Sequence, residues 1–257
     1  MADLASSPYF LLILFIAAFA LPLLYLIWIR NSPRYGREPW PTVLKTFAWG
    51  AVFSVIIAII LSILFILVLS SSQSLNDFFA RRFQDPSTAI GALVVAPIVE
   101  EAAKGVGATA GRPQTQSSTD GLVYGAAAGL GFSATENLVY ALAALLVPGV
   151  GPSGSLVVVA VRSFSSTFLH ASSTAVMGYG LAKSWLSGRP WAVFPFYVVA
   201  VAMHAAFNLF STLADDRATA NDAAGSAIAF LAAVSLAVVA ISVVRLKLVS
   251  RRSPTSR

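Results

Sequence analysis

The segment GLVYGAAAGLGFSATEN, residues 121–137, decides how this chain folds, because it is apolar yet built from small residues at regular intervals. One row of small or polar residues recurs at every fourth position and therefore lies on one helix face. The row consists of Gly121, Gly125, Gly129, Ser133 and Asn137. Small residues at this spacing let helices approach closely inside a membrane. The segment predicts a central helix of a transmembrane bundle, with Glu136 beside its most closely packed face.

The composition of the whole chain supports a membrane bundle. Of 257 residues, 57% are hydrophobic and 11% are charged, whereas about 25% of the residues of a soluble domain are charged. The sequence contains no basic patch with interleaved aromatic residues, so nucleic acid is not an expected partner. It also contains no cysteine, which excludes disulfides and thiolate chemistry, and only two histidines, His170 and His204. We expect an all-α fold surrounded by the lipid bilayer.

Seven stretches of the chain are candidate membrane spans, since a helix crosses a bilayer core with about 20 apolar residues. They are roughly residues 8–29, 43–69, 87–105, 120–146, 155–185, 190–213 and 223–246. The loops between them are too short to fold as soluble domains. We therefore expect residues 1–257 to form a single transmembrane domain.

The distribution of basic residues predicts the orientation of this domain, because cytoplasmic loops are enriched in lysine and arginine. Thirteen basic residues fall on one predicted side: Arg30, Arg34, Arg37, Lys45, Lys104, Arg112, Lys183, Arg189, Arg245, Lys247, Arg251, Arg252 and Arg257. The opposite side carries three, Arg81, Arg82 and Arg217. This bias predicts an N-terminus outside the cell and a C-terminus in the cytoplasm.

Polar residues within the spans form a second pattern. A charged group at mid-bilayer costs at least about 2.5 kcal/mol, so such groups normally face the bundle interior and serve a function. Three of the four glutamates and both histidines of the chain lie in predicted spans. The full set is Glu100, Glu101, Lys104, Glu136, Asn137, Arg162, His170, His204 and Asn208. We expect Arg162 to pair or to extend towards the membrane surface. The depths of Glu101, Glu136, His170 and His204 along their spans predict that these four groups lie near the midplane.

Two kinds of chemistry suit two or three carboxylates together with two imidazoles. They would bind a divalent metal such as Zn²⁺, with one position open for water. Alternatively, a glutamate would act as general base on water while histidine or asparagine stabilises the oxyanion. Both alternatives indicate hydrolysis. A proton-coupled transporter also buries such groups, and a non-catalytic scaffold for partner helices is a third interpretation.

Short motifs around these residues separate the interpretations. EEAAK (100–104), FSATEN (132–137), HASSTAVMG (170–178) and HAAFN (204–208) lie on four separate spans, and SPRYGREPW (32–40) follows the first span. In this order the motifs resemble the signatures of the PrsW family of intramembrane proteases, over roughly residues 30–213. The family is similar to the CAAX-protease superfamily, but Glu136 stands where those relatives carry histidine, and Lys104 lies one position closer than their arginine. Both differences favour PrsW over a prenyl-protein endopeptidase.

The resemblance implies a multi-pass protease of the cell membrane, with a prokaryotic plasma membrane as the expected location. The expected substrate is a membrane-anchored protein, such as an anti-sigma factor. PrsW proteins are regarded as metalloproteases and the superfamily relatives as glutamate-activated enzymes. The resemblance therefore leaves open whether catalysis depends on a metal. Residues 223–257, an extra span and a basic tail, lie outside the resemblance.

Our hypothesis from the sequence is therefore an intramembrane endopeptidase. Glu100 or Glu101 acts as the base on water, with Glu100 preferred for its place in the motif. The residues expected to complete the site are Glu136, His170, His204 and Asn208. If a metal is bound, the expected ligands are Glu101, Glu136, His170 and His204. Asn208 would orient His204 or contribute to an oxyanion hole, and Lys104 would fix Glu100 or anchor a helix end.

Overall fold

The computed structural model describes residues 7–33 and 35–250. All the regular structure within these ranges is helical, which confirms the all-α prediction. Arg34 and the tail 251–257, both assigned above to the cytoplasmic side, lie outside the described residues.

The helices follow the order of the expected spans. They are α1 Pro8–Asn31, α2 Trp40–Leu69, α3 Gln73–Ala80, α4 at residues 86–108, α5 Ser118–Leu145, α6 Gly151–Phe164, α7 Ser166–Ser187, α8 Phe194–Thr219 and α9 Ala223–Val249. Short 3₁₀ turns at Thr109–Gln114 and Pro190–Val193 precede α5 and α8. The short helix α3 lies in a connection where the sequence predicts only a loop.

Five helical stretches of the described chain are long and apolar enough to cross a membrane: Pro8–Asn31, Trp40–Leu69, Gly151–Ser187, Pro190–Thr219 and Ala223–Val249. The other two expected spans are helical, as α4 and α5, but do not belong to this group. Both carry glutamates and many small residues in place of large apolar ones. A total of seven spans, and the orientation of the termini, stay predictions.

Helix α5 is the centre of the bundle. Most of its side chains are buried, and it packs against α1, α2, α4, α6 and α7. A methyl group on Gly129 would collide with the carbonyl oxygen of His170 in α7. Gly121 and Gly125 approach the same helix equally closely. The predicted packing role of the small-residue row is thus confirmed, and the contact brings the motifs of α5 and α7 together.

Three local irregularities shape the bundle around the polar residues. Helix α2 contains a π-helical turn at Gly50–Ser54, and α4 contains one at Gly91–Val95. The third irregularity is a break at Ser165, which separates α6 from α7. π-Helical turns often accompany functional sites. None of the three follows from the apolar pattern of the sequence.

Candidate active site

The two adjacent glutamates of α4 have different surroundings. The Glu101 side chain is fully buried, and its Oε1 accepts hydrogen bonds from Lys104 Nζ at 2.6 Å, Ser173 Oγ at 2.9 Å and His204 Nδ1 at 3.0 Å. Its Oε2 accepts one from Thr174 Oγ1 at 3.1 Å. Both oxygens of Glu101 are therefore engaged by the protein itself.

Glu100, by contrast, faces open space. Its side chain is 13% exposed, and its buried Oε2 has no hydrogen-bond partner among the described residues. Two groups that could pair with it, Lys104 Nζ and His204 Nε2, are each 3.8 Å from this oxygen, beyond hydrogen-bonding distance. Of the two glutamates, Glu100 is the one able to contact a bound molecule.

Lys104 lies inside the polar centre, with its side chain completely buried. Its Nζ contacts Glu101 at 2.6 Å and His170 Nδ1 at 2.8 Å, and lies 4.9 Å from the Phe132 ring centroid. Counting Lys104 among the cytoplasmic charges was therefore wrong, and so was placing it at a helix end. Its closest acidic partner is Glu101, because the i,i+3 spacing brings these two groups together more closely than the i,i+4 pair with Glu100.

The two histidines have complementary hydrogen-bonding roles. An ammonium group only donates, so His170 Nδ1 accepts from Lys104 and its Nε2 carries the proton. That Nε2 donates to Glu136 Oε2 at 2.8 Å. His204 Nδ1 donates to Glu101, which leaves a lone pair on Nε2 directed towards Glu100. Carboxylates orient histidines in this way in many metal and catalytic sites.

Glu136 is held from two sides. In addition to the bond from His170, its Oε2 accepts one from Arg162 Nη2 at 2.6 Å. Arg162 also donates from Nε to Asn137 Oδ1 at 3.1 Å, and its guanidinium stacks over the Tyr140 ring at 3.7 Å. The expectation that Arg162 pairs is confirmed, but the sequence analysis left it out of the site.

Asn208 lies one helical turn from His204 and lines the same cavity. Its Nδ2 donates to the carbonyl oxygen of Ala92 at 2.8 Å, within the π-helical turn of α4. Asn208 thus connects α8 to the irregular part of α4. Sequence reasoning also missed Ser173 and Thr174 as partners of Glu101, although the hydroxyl-rich composition of α7 was a signal for them.

Two cavities, each of about 260 Å³, meet at this centre. The first is polar and lies between α4, α5, α7 and α8; its lining includes Glu100, Glu136, Arg162, His170, His204, Asn208 and Asp215. The second is apolar and lies between α2 and α5; it is lined by Val55, Ala58, Ile59, Ser62, Ile63, Ile66, Phe132 and Val139, together with Glu100 and Glu136. Only these two carboxylates, among the described residues, line both cavities. They therefore separate a polar space from an apolar one.

The donor atoms fit a divalent metal. One atom each from Glu100, His170 and His204 lies within 4.8 Å of the others. The centre also holds three carboxyl groups and two basic side chains, Lys104 and Arg162. Ligation by His170 Nε2 would require the proton on this atom to move to Nδ1, which would give up the bonds to both Glu136 and Lys104. This set includes Glu100, whereas the set expected from the sequence contains Glu101 and Glu136.

Comparison with known proteins gives one match. The model of a protein family described as PrsW family intramembrane metalloprotease matches residues 38–244. The matched range contains every residue of the centre described above. No curated protein and no solved structure matches the chain.

Proposed function

The chain belongs to the PrsW family of intramembrane metalloproteases, and on that premise we propose that it hydrolyses a peptide bond of a membrane-anchored protein at the Glu100 centre. The observation that carries this proposal is the contrast between the two glutamates. Glu101 is saturated with hydrogen bonds, whereas Glu100 lines a polar cavity beside two histidines and has a buried oxygen without a hydrogen-bond partner among the described residues. A carboxylate in such a position is suited to hold and deprotonate a water molecule.

In the proposed reaction, Glu100 takes a proton from water as the water oxygen attacks the peptide carbonyl carbon. The proton then passes to the leaving amine, which balances the hydrolysis. His204 Nε2 lies 3.8 Å from Glu100 Oε2 and orients the same water through its lone pair. Asn208 lines the cavity, and its amide carries a second N–H besides the one donated to Ala92, which supplies a donor for the developing oxyanion.

The remaining charged residues position these groups. Glu101 fixes the His204 ring through Nδ1, and Lys104 fixes His170 through its Nδ1. Arg162 keeps Glu136 at hydrogen-bonding distance from His170 Nε2. Because these contacts are buried or, for Arg162 and Glu136, partly buried, the centre is preorganised before any substrate arrives.

The same donors are the ones that would hold a divalent metal, namely Glu100, His170 and His204. When bound, such an ion supplies a Lewis acid for the water and the carbonyl oxygen. Glu100 cannot be both a metal ligand and the free base. Metal analysis of purified wild type and of His204→Ala is therefore expected to distinguish these two roles of Glu100. If the wild type binds one equivalent of metal and the variant loses it, the ligand role is indicated. If neither protein contains metal, the base role is indicated.

The substrate proposal rests on family membership. We propose a membrane-anchored protein, with an anti-sigma factor as the specific candidate, in a prokaryotic plasma membrane. The family assignment does not favour a proton-coupled transporter, which would show substrate-dependent flux in proteoliposomes and no new protein termini.

The test compares the termini of membrane proteins in cells that carry wild type, Glu100→Gln or the control Asp77→Asn. Asp77 is an exposed carboxylate of α3, remote from the centre. New termini near membrane boundaries are expected with wild type and with the control, and not with Glu100→Gln. The same termini in all three strains would exclude Glu100 as an essential group, and no new termini in any strain would contradict proteolysis.

A further inference from the structure

The apolar cavity between α2 and α5 is not used by the proposed chemistry. One of its ends is formed by Glu100 and Glu136, and the rest of its lining is almost entirely aliphatic or aromatic. Several lining residues also face the lipid: Ile59 is 51% exposed, Ile63 55% and Val139 49%. The cavity therefore leads from the lipid-facing surface of the bundle directly to the two carboxylates.

The position and size of this cavity restrict what it can hold. Its volume is about 260 Å³, below the roughly 300–1,000 Å³ of typical small-molecule pockets. An α-helix with its side chains is about 10–12 Å wide and does not fit. One large aliphatic or aromatic side chain does fit, and a group entering from the lipid must be apolar.

The two cavities lie on different sides of Glu100, so a water molecule and a substrate reach this carboxylate by separate routes. The polar cavity has serine, threonine and aspartate side chains along its wall and is suited to water. A peptide bond placed beside Glu100 would then direct a neighbouring side chain into the apolar cavity.

We propose that the apolar cavity is a subsite that selects a large apolar side chain next to the cleaved bond of a substrate membrane segment. This inference rests on the proposed function and adds a specificity to it. Ser62, on α2, is the small polar residue of the lining and controls how much room the cavity offers.

The test uses Ser62→Phe, which fills the cavity, and Leu64→Phe as the matched control. Leu64 lies on the same helix and is 54% exposed, but does not line the cavity. The probe is a library of single-span reporter proteins with randomised apolar segments, expressed with each variant. Sequencing of the cleaved products gives the residues on both sides of the cleaved bond.

Wild type and Leu64→Phe are expected to prefer leucine, methionine or phenylalanine at one of these positions. Ser62→Phe is expected to shift that preference at least tenfold towards alanine or glycine while still cleaving. Ile66→Ala, which enlarges the cavity, should extend the preference to tryptophan and keeps the test informative if Ser62→Phe does not fold. An unchanged preference in the folded variants overturns the subsite alone, whereas cleavage of no reporter by wild type overturns the proposed function as well.

Discussion

Glu100 and Glu101 show how the surroundings of a single residue determine its role. The two side chains are adjacent in sequence but project about 100° apart on α4. One is buried among four hydrogen-bond donors; the other lines a cavity and has one oxygen with no hydrogen-bond partner in the described part of the chain. The sequence predicts that the pair is functional, but only the packing of α7 and α8 shows which carboxylate is available.

We expect Glu100→Gln and Glu101→Gln to fail in different ways. Glu100→Gln should keep the free energy of unfolding and lower the cleavage rate by roughly 10²–10⁴-fold, because the amide cannot act as a base. Glu101→Gln should lower the free energy of unfolding by about 3–5 kcal/mol, because it leaves the buried Lys104 without its counter-charge.

Thermal unfolding in detergent and cleavage of a reporter substrate, measured on the same preparations, check this contrast. Equal losses of stability in the two variants would contradict the distinction between an available and an engaged carboxylate. A fully active Glu100→Gln would exclude it as the base.

Arg162 provides a second prediction at the residue scale. Its planar group bonds Glu136 and Asn137 at once, which a lysine ammonium cannot reproduce with the same geometry. Arg162→Lys is therefore expected to lower kcat/KM about tenfold, the typical cost of disturbing a supporting contact, with little change in melting temperature. The control is Arg217→Lys at a solvent-exposed pair, which should leave both quantities unchanged. Full activity of Arg162→Lys would show that Glu136 does not need this orientation.

At the scale of helices, the contact between α5 and α7 determines whether the centre can assemble. His170 contributes its side chain to the centre and its carbonyl oxygen to the close approach at Gly129. Any separation of these helices would therefore move His170 away from Glu136.

Gly129→Ala is accordingly expected to lower the free energy of unfolding by at least about 1–3 kcal/mol, the usual cost of overpacking, and to reduce cleavage. Gly91→Ala is the control, since the nearest neighbouring atom to the added methyl would be 3.7 Å away, an ordinary contact. Its stability should be unchanged or slightly higher, because alanine favours a helix over glycine. Chemical denaturation of both variants measures this difference. Equal free energies of unfolding for Gly129→Ala and Gly91→Ala would contradict the close contact between α5 and α7.

The helices themselves were largely predictable, because apolar runs and their interruptions mark where helices begin and end. The π-helical turns and the break at Ser165 were not, since they depend on how α2, α4 and α6 pack against neighbours rather than on local composition. Glu101, Glu136, His170 and His204 were expected to converge from their depths along separate spans, and in the structure Glu100, not Glu101, lines the polar cavity with the other three. Arg162 was expected to pair but was left out of the site, because the sequence does not show that its partner is Glu136.

At the scale of the whole molecule, the loops sort to two ends of the bundle. Gln84 donates to the carbonyl oxygen of Asp216, which joins the two connections predicted to lie outside. At the other end, the Arg112 guanidinium lies 5.9 Å from the Trp185 ring centroid, and both residues belong to the side predicted to be cytoplasmic. The structure thus supports the grouping of these loops, and the charge bias, without Lys104, predicts which end faces the cytoplasm.

Single cysteines test this orientation cleanly, because the chain contains none of its own. Ser71→Cys lies after α2 at the predicted outer end, and Ser187→Cys lies at the end of α7 on the predicted cytoplasmic side; both positions are exposed. A membrane-impermeant maleimide is expected to label Ser71→Cys in intact cells and Ser187→Cys only after permeabilisation, while detergent should expose both.

The polar cavity reaches Asp215, near the same end as Ser71, so this labelling pattern would mean that water enters the centre from outside. The reverse pattern would invert the topology and place the entrance for water on the cytoplasmic side.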